Sequence, residues 1–369
     1  MGLIAHGHKV TIIGFNEYNP EPIPGVKYQA LGSNYSSLRL LITSLQLALA
    51  SKRMQSIVAI CRAIVRRKRK QLQQQNLKLA LKKVNPDVVH VQWPSLLSWM
   101  EPYMPNDCFK VVLSQRGYHT NVRPFVDPTN FKYLQHWYPK LDGLHSVSKA
   151  ISVVGQKIGQ PHSKIDHVVY TGLKLKKLKY KTKNKKGKKL NLLSVGRPHW
   201  KKDYTTAIRA CAILKKEKIK YHYTIIGASD NEEVLFLINE FGLQNNIALT
   251  DKVSQKKVYE KMRSADVLLL PSVEEGIANV AVEAMSLGLP VISTNCGGME
   301  ELITDGTEGW LVPTRNPKAL ATAIVQLNNL SLEQVNTLTL SARKKVGRQH
   351  TVEKMIRDME ALYFKTMHS

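Results

Sequence analysis

Residues 271–290 read PSVEEGIANVAVEAMSLGLP. They follow an apolar run, Ala265–Leu270 (ADVLLL), with the length and composition of a buried strand closed by a proline. Val273–Ala278 is a short loop containing a glycine. Asn279–Leu287 consists of good helix formers, with Asn279 as the expected N-cap and Gly288 and Pro290 as stop signals. Strand, glycine loop and helix start, in that order, aim free backbone N–H groups and a positive helix end at one spot, which suits a phosphate. Glu275 lies in the loop, and Glu283 follows eight residues later, about one turn into the helix. Ionised carboxylates only accept hydrogen bonds, so they repel phosphate and suit hydroxyls. A nucleotide sugar offers both kinds of group. On residue types alone, a plain surface loop and a helix with two solvated glutamates fit as well.

The same stretch resembles the E-x7-E signature of the family-four glycosyltransferases, also called glycosyl transferases group 1. PSVEEG, VEAMSLGLPVISTNCGGMEELI, DGTEGWLV and NPKALATAI resemble that family's donor-domain blocks, in order and at about the usual spacing, over roughly Leu190–Leu327. The resemblance implies an α/β chain of GT-B fold. Two Rossmann-like domains with parallel sheets would face each other, and a C-terminal helix would cross back to the first. The implied divisions are an acceptor-binding domain at 1–173, a lysine-rich linker at 174–189, a nucleotide-sugar-binding domain at 190–345, and a returning helix at 346–369.

The resemblance also implies a retaining, metal-independent transfer of a hexosyl type, with the nucleoside-diphosphate sugar as substrate and no cofactor. Glu275 would hold hydroxyls of the transferred sugar and Glu283 the ribose. N–H groups around Gly276, Ile277, Ala278 and Asn279, with Arg197 and Lys202, would hold the diphosphate. No acidic D-x-D pair and no His/Cys cluster stands out as a metal site.

The remaining candidates lie at other strand ends. Leu190–Val195 reads as a strand running into GRPHWKK, where Gly196, Arg197 and Lys202 match the family's glycine, arginine and later lysine. Arginine supplies a bidentate fork and lysine a point charge for a leaving diphosphate. The family usually has glycine after that lysine, and here the residue is Asp203. Gly227 ends the strand YHYTIIG and lets backbone approach a ligand. Lys252 and Val253 fall where the family's loop backbone reads the nucleobase. KVVLS (Lys110–Ser114) runs into QRGYHTNVR, which places Arg116 and His119 at a strand end, on the acceptor side. His119 is the candidate proton shuttle or sugar ligand, or else a loop histidine bonded to backbone. His90, His136 and His145 are read as structural.

Charge is unevenly spread. Residues 1–172 hold 22 Lys/Arg against 8 Asp/Glu, residues 173–190 hold 10 against none, and residues 191–369 hold 22 against 20. The run Pro22–Pro86 contains no acid. Within Ser36–Lys83, read as helical, Met54, Ile57, Val58, Cys61, Ile64 and Val65 recur at helical spacing beside Arg53, Arg62, Arg66, Arg67, Lys68, Arg69 and Lys70. Such a segment suits anionic lipid head groups, or else packs its stripe inward and solvates its charges. Lys174–Lys189 is expected to be extended and wet, either as a plain linker or as a second contact with membrane or acceptor.

Aromatics are not interleaved with the basic runs, which argues against nucleic acid. Four scattered cysteines suit a reducing compartment. The expected setting is therefore cytoplasmic, peripheral on the inner membrane face. The expected acceptor is a glycan or lipid-linked intermediate of cell-surface polysaccharide or lipopolysaccharide. In the resembling family GHxVT is a second strand, so GHKVT at Gly7–Thr11 implies a late start or a missing first strand and glycine loop. A nucleotide-sugar epimerase of the same fold, or a non-catalytic basic relative that binds membranes, are the alternatives.

Overall fold

The computed structural model describes all residues except 1, 16, 18–20, 53, 66–67, 106, 163, 185–186 and 188, and the side chain of Ser56. Arg53, Arg66 and Arg67 of the basic segment, and Lys185, Lys186 and Lys188 of the lysine-rich one, thus lie outside the described residues. The chain divides into two compact units. The first is Met1–Leu113 with Lys140–Gly143 and Glu360–Ser369; the second is Ser114–Pro139 with Leu144–Met359.

In the first unit, α1 (Gly2–Ala5) precedes β1 (Thr11–Gly14), which pairs in parallel with β2 (Lys27–Ala30). The span expected to be helical from Ser36 to Lys83 is three helices, α2 (Ser37–Ala50), α3 (Met54–Val65) and α4 (Arg69–Val84). The first break passes through Lys52, whose φ of 53° is left-handed. Ser36 caps α2 by accepting from the Arg39 N–H. Leu40, Leu47, Ile60, Ala63, Leu72 and Leu79 make the core between the three helices. Buried Asn76 ties that core together, donating to the Leu31 carbonyl (3.0 Å) and to Ser44 Oγ (2.9 Å). Beyond α4, β3 (Val88–Val91) pairs in parallel with β4 (Lys110–Gln115), Val88 opposite Lys110.

The second unit begins with three short helices after β4: α5 (Tyr118–Asn121), α6 (Arg123–Val126) and α7 (Pro128–Trp137). Next come β5 (Gly143–Ser146), α8 (Lys149–Ile158) and β6 (Ile165–Val168). Ser148 caps α8 by accepting from the Ile151 N–H at 3.2 Å.

A six-stranded sheet then takes β7 (Leu190–Val195), β8 (Tyr221–Ile226), β9 (Ile247–Thr250), β10 (Val267–Leu270), β11 (Val291–Thr294) and β12 (Trp310–Val312) in the order β12-β11-β10-β7-β8-β9. Every neighbouring pair is parallel. The helices are α9 (Tyr204–Lys216), α10 (Glu232–Glu240), α11 (Gln255–Ser264), α12 (Asn279–Leu287), α13 (Met299–Leu302), α14 (Pro317–Asn329), α15 (Leu332–Gln349) and α16 (Val352–Met367). Helices α9 to α15 cover both faces of the sheet. Val267 and Leu269 pack with Ile208, Cys211 and Ile324 on one side, and Leu268 and Leu270 with Met262, Val282 and Met285 on the other. Burial on both faces is why β10 is an unbroken apolar run rather than an alternating one. The strands step outward from β7 to β9, then restart beside β7 at β10, so the winding reverses between β7 and β10.

Two expectations are corrected. The returning helix expected at 346–369 starts later: residues 346–349 end α15, and His350 and Thr351 separate it from α16. The described part of 174–189 is not a wet, extended linker. Leu178 is buried, the Lys181 N–H donates to the Leu287 carbonyl (3.2 Å), Tyr180 Oη lies 3.0 Å from Thr339 Oγ1, and Lys183 pairs with Asp266 at 3.1 Å. The apolar residues set among the lysines find partners, which a count of lysines does not reveal.

His145 is a satisfied core group. Its Nδ1 lies 2.8 Å from Ser114 Oγ and its Nε2 3.2 Å from the Val169 carbonyl. Burial pushes its pKa down to about 4. The unfolded chain therefore takes up this proton first as pH falls. Stability held above about pH 6.5 should drop by about 3 kcal/mol by pH 4 on account of this residue. Denaturant melts across that window should show a shallower slope for His145→Gln than for the native chain.

Candidate functional site

In an open parallel sheet, ligands collect outside the carboxyl ends of the strands at the point where the winding reverses. Here that point is between β7 and β10, paired through Leu192–Val267 and Leu193–Leu268. The segments leaving these two strands carry most of the residues singled out from sequence.

After β7, Gly196 is held by the Ile226 carbonyl on its N–H and by Tyr204 Oη on its own carbonyl (2.8 Å). Gly227, at φ 94°, sits so close that a Cβ there would lie 3.2 Å from the Gly196 oxygen. Glycine at 227 is thus required both by conformation and by the approach of the neighbouring strand end. A single turn, Trp200–Lys202, ends at Asp203, whose φ is 45°. That left-handed position accounts for glycine in the resembling family. Asp is tolerated here because its carboxylate caps α9, accepting from the Thr206 N–H (3.3 Å) and hydroxyl (2.7 Å). Arg197 is exposed, whereas Lys202 is partly buried.

After β10, the Lys202 ammonium meets Glu275 Oε1 at 2.5 Å, and Ser272 Oγ donates to the same oxygen at 3.0 Å. Two residues 73 positions apart thus close an ion pair across the reversal point. The helix start needs correction: Ala278 is the N-cap of α12, Asn279 is its first residue, and no side chain caps it. The leading N–H groups of α12 are left to whatever occupies the loop. Glu283, inside α12, accepts from Tyr259 Oη (3.0 Å) and Gln255 Nε2 (3.1 Å), both on α11. Lys252 is exposed and Val253 packs against the core that contains α12.

The turn after β11 holds the loop from below. A Cβ on Gly297 would overlap the Glu275 carbonyl oxygen, and one on Gly298 the Gly276 oxygen. Gly298 N–H donates to the Gly276 carbonyl at 2.7 Å. Glu301, on α13, receives the N–H groups of Lys149 and Ala150 (both 2.9 Å) and Tyr170 Oη (2.7 Å), which locks the start of α8 to this turn.

The loop after β4 reaches the same region. Arg116 N–H donates to Thr120 Oγ1 (3.1 Å), and Asn121 Nδ2 donates to Glu274. The Lys201 ammonium stands 6.0 Å from the Tyr118 ring centre. His119 Nδ1 is buried without a hydrogen-bond partner. Burial, then the charges of Arg123 and Lys201, hold its pKa below the ordinary value, so the imidazole is neutral at pH 7. Burial also raises the Glu274 carboxyl, with the Asn121 hydrogen bond opposing. Glu274, Asn121 and Lys201 were not singled out from sequence. The doubled glutamate at 274–275 was visible there, but not which carboxylate meets lysine and which meets asparagine.

With this geometry in hand, the fold can be compared. Over its whole length the chain superposes on sucrose-phosphate synthase from Thermosynechococcus elongatus, covering 91% of that chain with a TM-score of 0.76 and 18% identity. It also matches Anabaena HepE in complex with UDP-glucose over 77% of this chain and 81% of that one, with a TM-score of 0.65 and 18% identity. The fold is GT-B, built of two Rossmann-like α/β domains. Residues 176–345 match the family model described as Glycosyl transferases group 1, which supports that superfamily. The chain is 28% identical over 261 residues to the colanic acid biosynthesis glycosyltransferase WcaL of Salmonella typhimurium, covering 67% of this chain. It spans 64% of that relative's own length.

Gly297→Ala should cost at least about 2 kcal/mol in denaturant unfolding, because both its φ of 53° and the Glu275 carbonyl oppose a side chain. Gly347→Ala, in a helix with open space around it, should be neutral or slightly stabilising.

Proposed function

We propose that this protein is a glycosyltransferase of family four that moves a hexosyl unit from a nucleoside-diphosphate sugar to a glycan or lipid-linked acceptor, with retention and without a metal. The observation that carries this reading is the Lys202–Glu275 pair, set at the reversal of the sheet beside the uncapped start of α12. The group 1 family match over 176–345 and the solved neighbour holding UDP-glucose support it.

The chemistry follows from charge. Breaking the bond to the leaving diphosphate builds negative charge on its oxygens. In this reading Lys202, Arg197 and the N–H groups from Gly276 to Asn279 meet that charge and lower the barrier. An arriving diphosphate competes for Lys202 and frees Glu275 Oε1 for sugar hydroxyls, while Ser272 keeps the carboxylate oriented. Glu283, already accepting from a phenol and an amide, has acceptor capacity left for a ribose. Gly196 and Gly227 let backbone approach the donor, and Lys252 and Val253 line the base side. Neutral His119 and Arg116 serve the acceptor side. No side chain attacks the sugar; the leaving diphosphate takes the acceptor's proton.

In this reading, 1–173 is the acceptor domain, 190–345 the donor domain and 346–369 the returning segment, whose helix is α16. Likeness to a colanic acid enzyme supports cell-surface polysaccharide or lipopolysaccharide as the product. The basic first 172 residues support work at the inner face of the cytoplasmic membrane, where anionic lipid and a lipid-linked acceptor are found. Among the described residues no helix is long and apolar enough to cross a membrane.

Thermal shift with UDP-, GDP- and ADP-sugars should select one nucleotide. Lys202→Met and Glu275→Gln should each lower turnover by about 10²–10³-fold with far-UV circular dichroism unchanged. Full turnover in both variants would remove the assignment. Epimerisation of the donor without any acceptor would favour a nucleotide-sugar epimerase, and no nucleotide effect at all a non-catalytic relative.

A further inference from the structure

The apolar residues of helix α3 divide into a buried set and an exposed one. Ile57, Ile60, Ala63 and Ile64 join the core with α2 and α4. Met54, Val58, Cys61 and Val65 stay exposed, Met54 at 73% and Val65 at 81%. At 100° per residue these four fall within a narrow band on the side away from the core.

Helix α2 repeats the arrangement sixteen residues earlier. Leu40, Ser44, Leu47 and Ala48 are buried, while Leu38, Ile42, Leu45 and Leu49 are exposed, Leu38 at 67% and Leu49 at 68%. An ordinary surface helix is apolar on one side only. Here two helices packed on one another and on α4 each carry a row of apolar residues beyond the buried face. Scattered exposed apolar residues need no explanation, but two aligned rows do.

This stretch carries charge of one sign, although Glu17 folds against the start of α2, where its carboxylate accepts from Ser33 Oγ and the Asn34 N–H beside Arg39 and Arg69. Residues 22–86 carry thirteen Lys/Arg and no Asp/Glu. Lys52, Arg62 and Lys68 are exposed beside the stripes. In the same unit, a cavity of about 720 Å³ at the ends of α2 and α4 has Lys78, Lys82 and Lys83 in its wall and no acid.

We infer that the outward stripes of α2 and α3 together form a surface that docks on an anionic lipid bilayer, with the apolar rows at the head-group boundary and the basic residues on the lipid phosphates. This rests on the membrane-surface reading above. It goes further by moving the contact onto two helices and away from the lysine-rich 174–189 segment, whose described part packs on its own unit. A bilayer accepts long apolar rows without matching their shape, and its negative surface complements helices that carry no acid of their own. A second copy of the chain would bring like charges face to face.

The test uses the full chain carrying Cys108→Ser. Cys211 and Cys296 are buried, so an environment-sensitive fluorophore then attaches at Cys61. Vesicles of phosphatidylglycerol and phosphatidylcholine should bind the protein, more weakly at high salt, with nitroxide-bearing lipid quenching the label. Vesicles of phosphatidylcholine alone should bind at least about fivefold less tightly. Combining Leu38→Gln, Leu49→Gln, Met54→Gln and Val58→Gln should raise the apparent Kd at least about tenfold with the melting temperature unchanged. If that variant fails to fold, quenching at Cys61 in the otherwise native chain still decides the matter. Anionic vesicle binding with the label unquenched and the glutamines without effect overturns this surface and leaves the membrane reading standing. Absence of vesicle binding removes both. A vesicle-free dimer that the glutamines convert to monomer assigns the stripes to self-association and overturns the proposal.

Discussion

The pairing of β7 with β10 is the constraint on which the site depends. These strands are separated by more than seventy residues, yet they lie side by side because the sheet is wound outward from β7 in both directions. Two chain segments therefore leave adjacent strand ends on the same edge. One brings Lys202 and the other Glu275, and the two side chains close on each other. Moving either strand one place in the order would leave a half-buried lysine and a half-buried carboxylate each without its partner, at the cost of an uncompensated charge.

Rigid backbone packing holds this meeting point in place. Gly227 lies against Gly196, and Gly297 and Gly298 lie against the carbonyls of the Glu275–Gly276 loop. A loop held by backbone atoms on two sides keeps its N–H groups pointing where they are before any ligand arrives. Pre-placed dipoles and cations are what stabilise charge that develops during a reaction. The Glu301 clamp on the start of α8 extends the same rigidity to the segment carrying Tyr170. The loop from Arg116 to Asn121 differs in kind. It touches the site through side chains, Asn121 on Glu274 and Lys201 near Tyr118, and it leaves His119 Nδ1 unpartnered. Side-chain contacts are easier to exchange than backbone ones, so this side can adapt to an occupant.

The two parts of the chain differ in surface character. The second unit's sheet is covered on both faces by apolar clusters, and the charge of residues 191–369 nearly cancels. The three-helix layer of the first unit carries apolar rows on its outside and one sign of charge.

Much of this was legible in the residues. The apolar runs at 190–195 and 265–270, the glycines that follow them, and the helix over Asn279–Leu287 follow from local rules of periodicity, stop signals and left-handed turns, which act over a few residues. The GT-B fold was legible only through the resemblance of the donor-domain blocks to a known family, not through these local rules. The exceptions were local rules overridden from a distance. Asn279 is a good cap in isolation, but Ala278 takes that place in the packed loop. Lysine-rich 174–189 reads as solvent-loving, but Leu178 and Tyr180 dock it. Helical spacing finds an apolar stripe on α3 and is silent on which residues of it face a core, because periodicity defines a face and only neighbours define what the face meets. By itself, the sequence determined the elements, their order and the residue types at the strand ends. The tertiary structure alone decided that Lys202 closes on Glu275, that Asn121 takes Glu274, and that half the stripe on α3 faces outward, because each of these depends on segments that approach only after the sheet is wound.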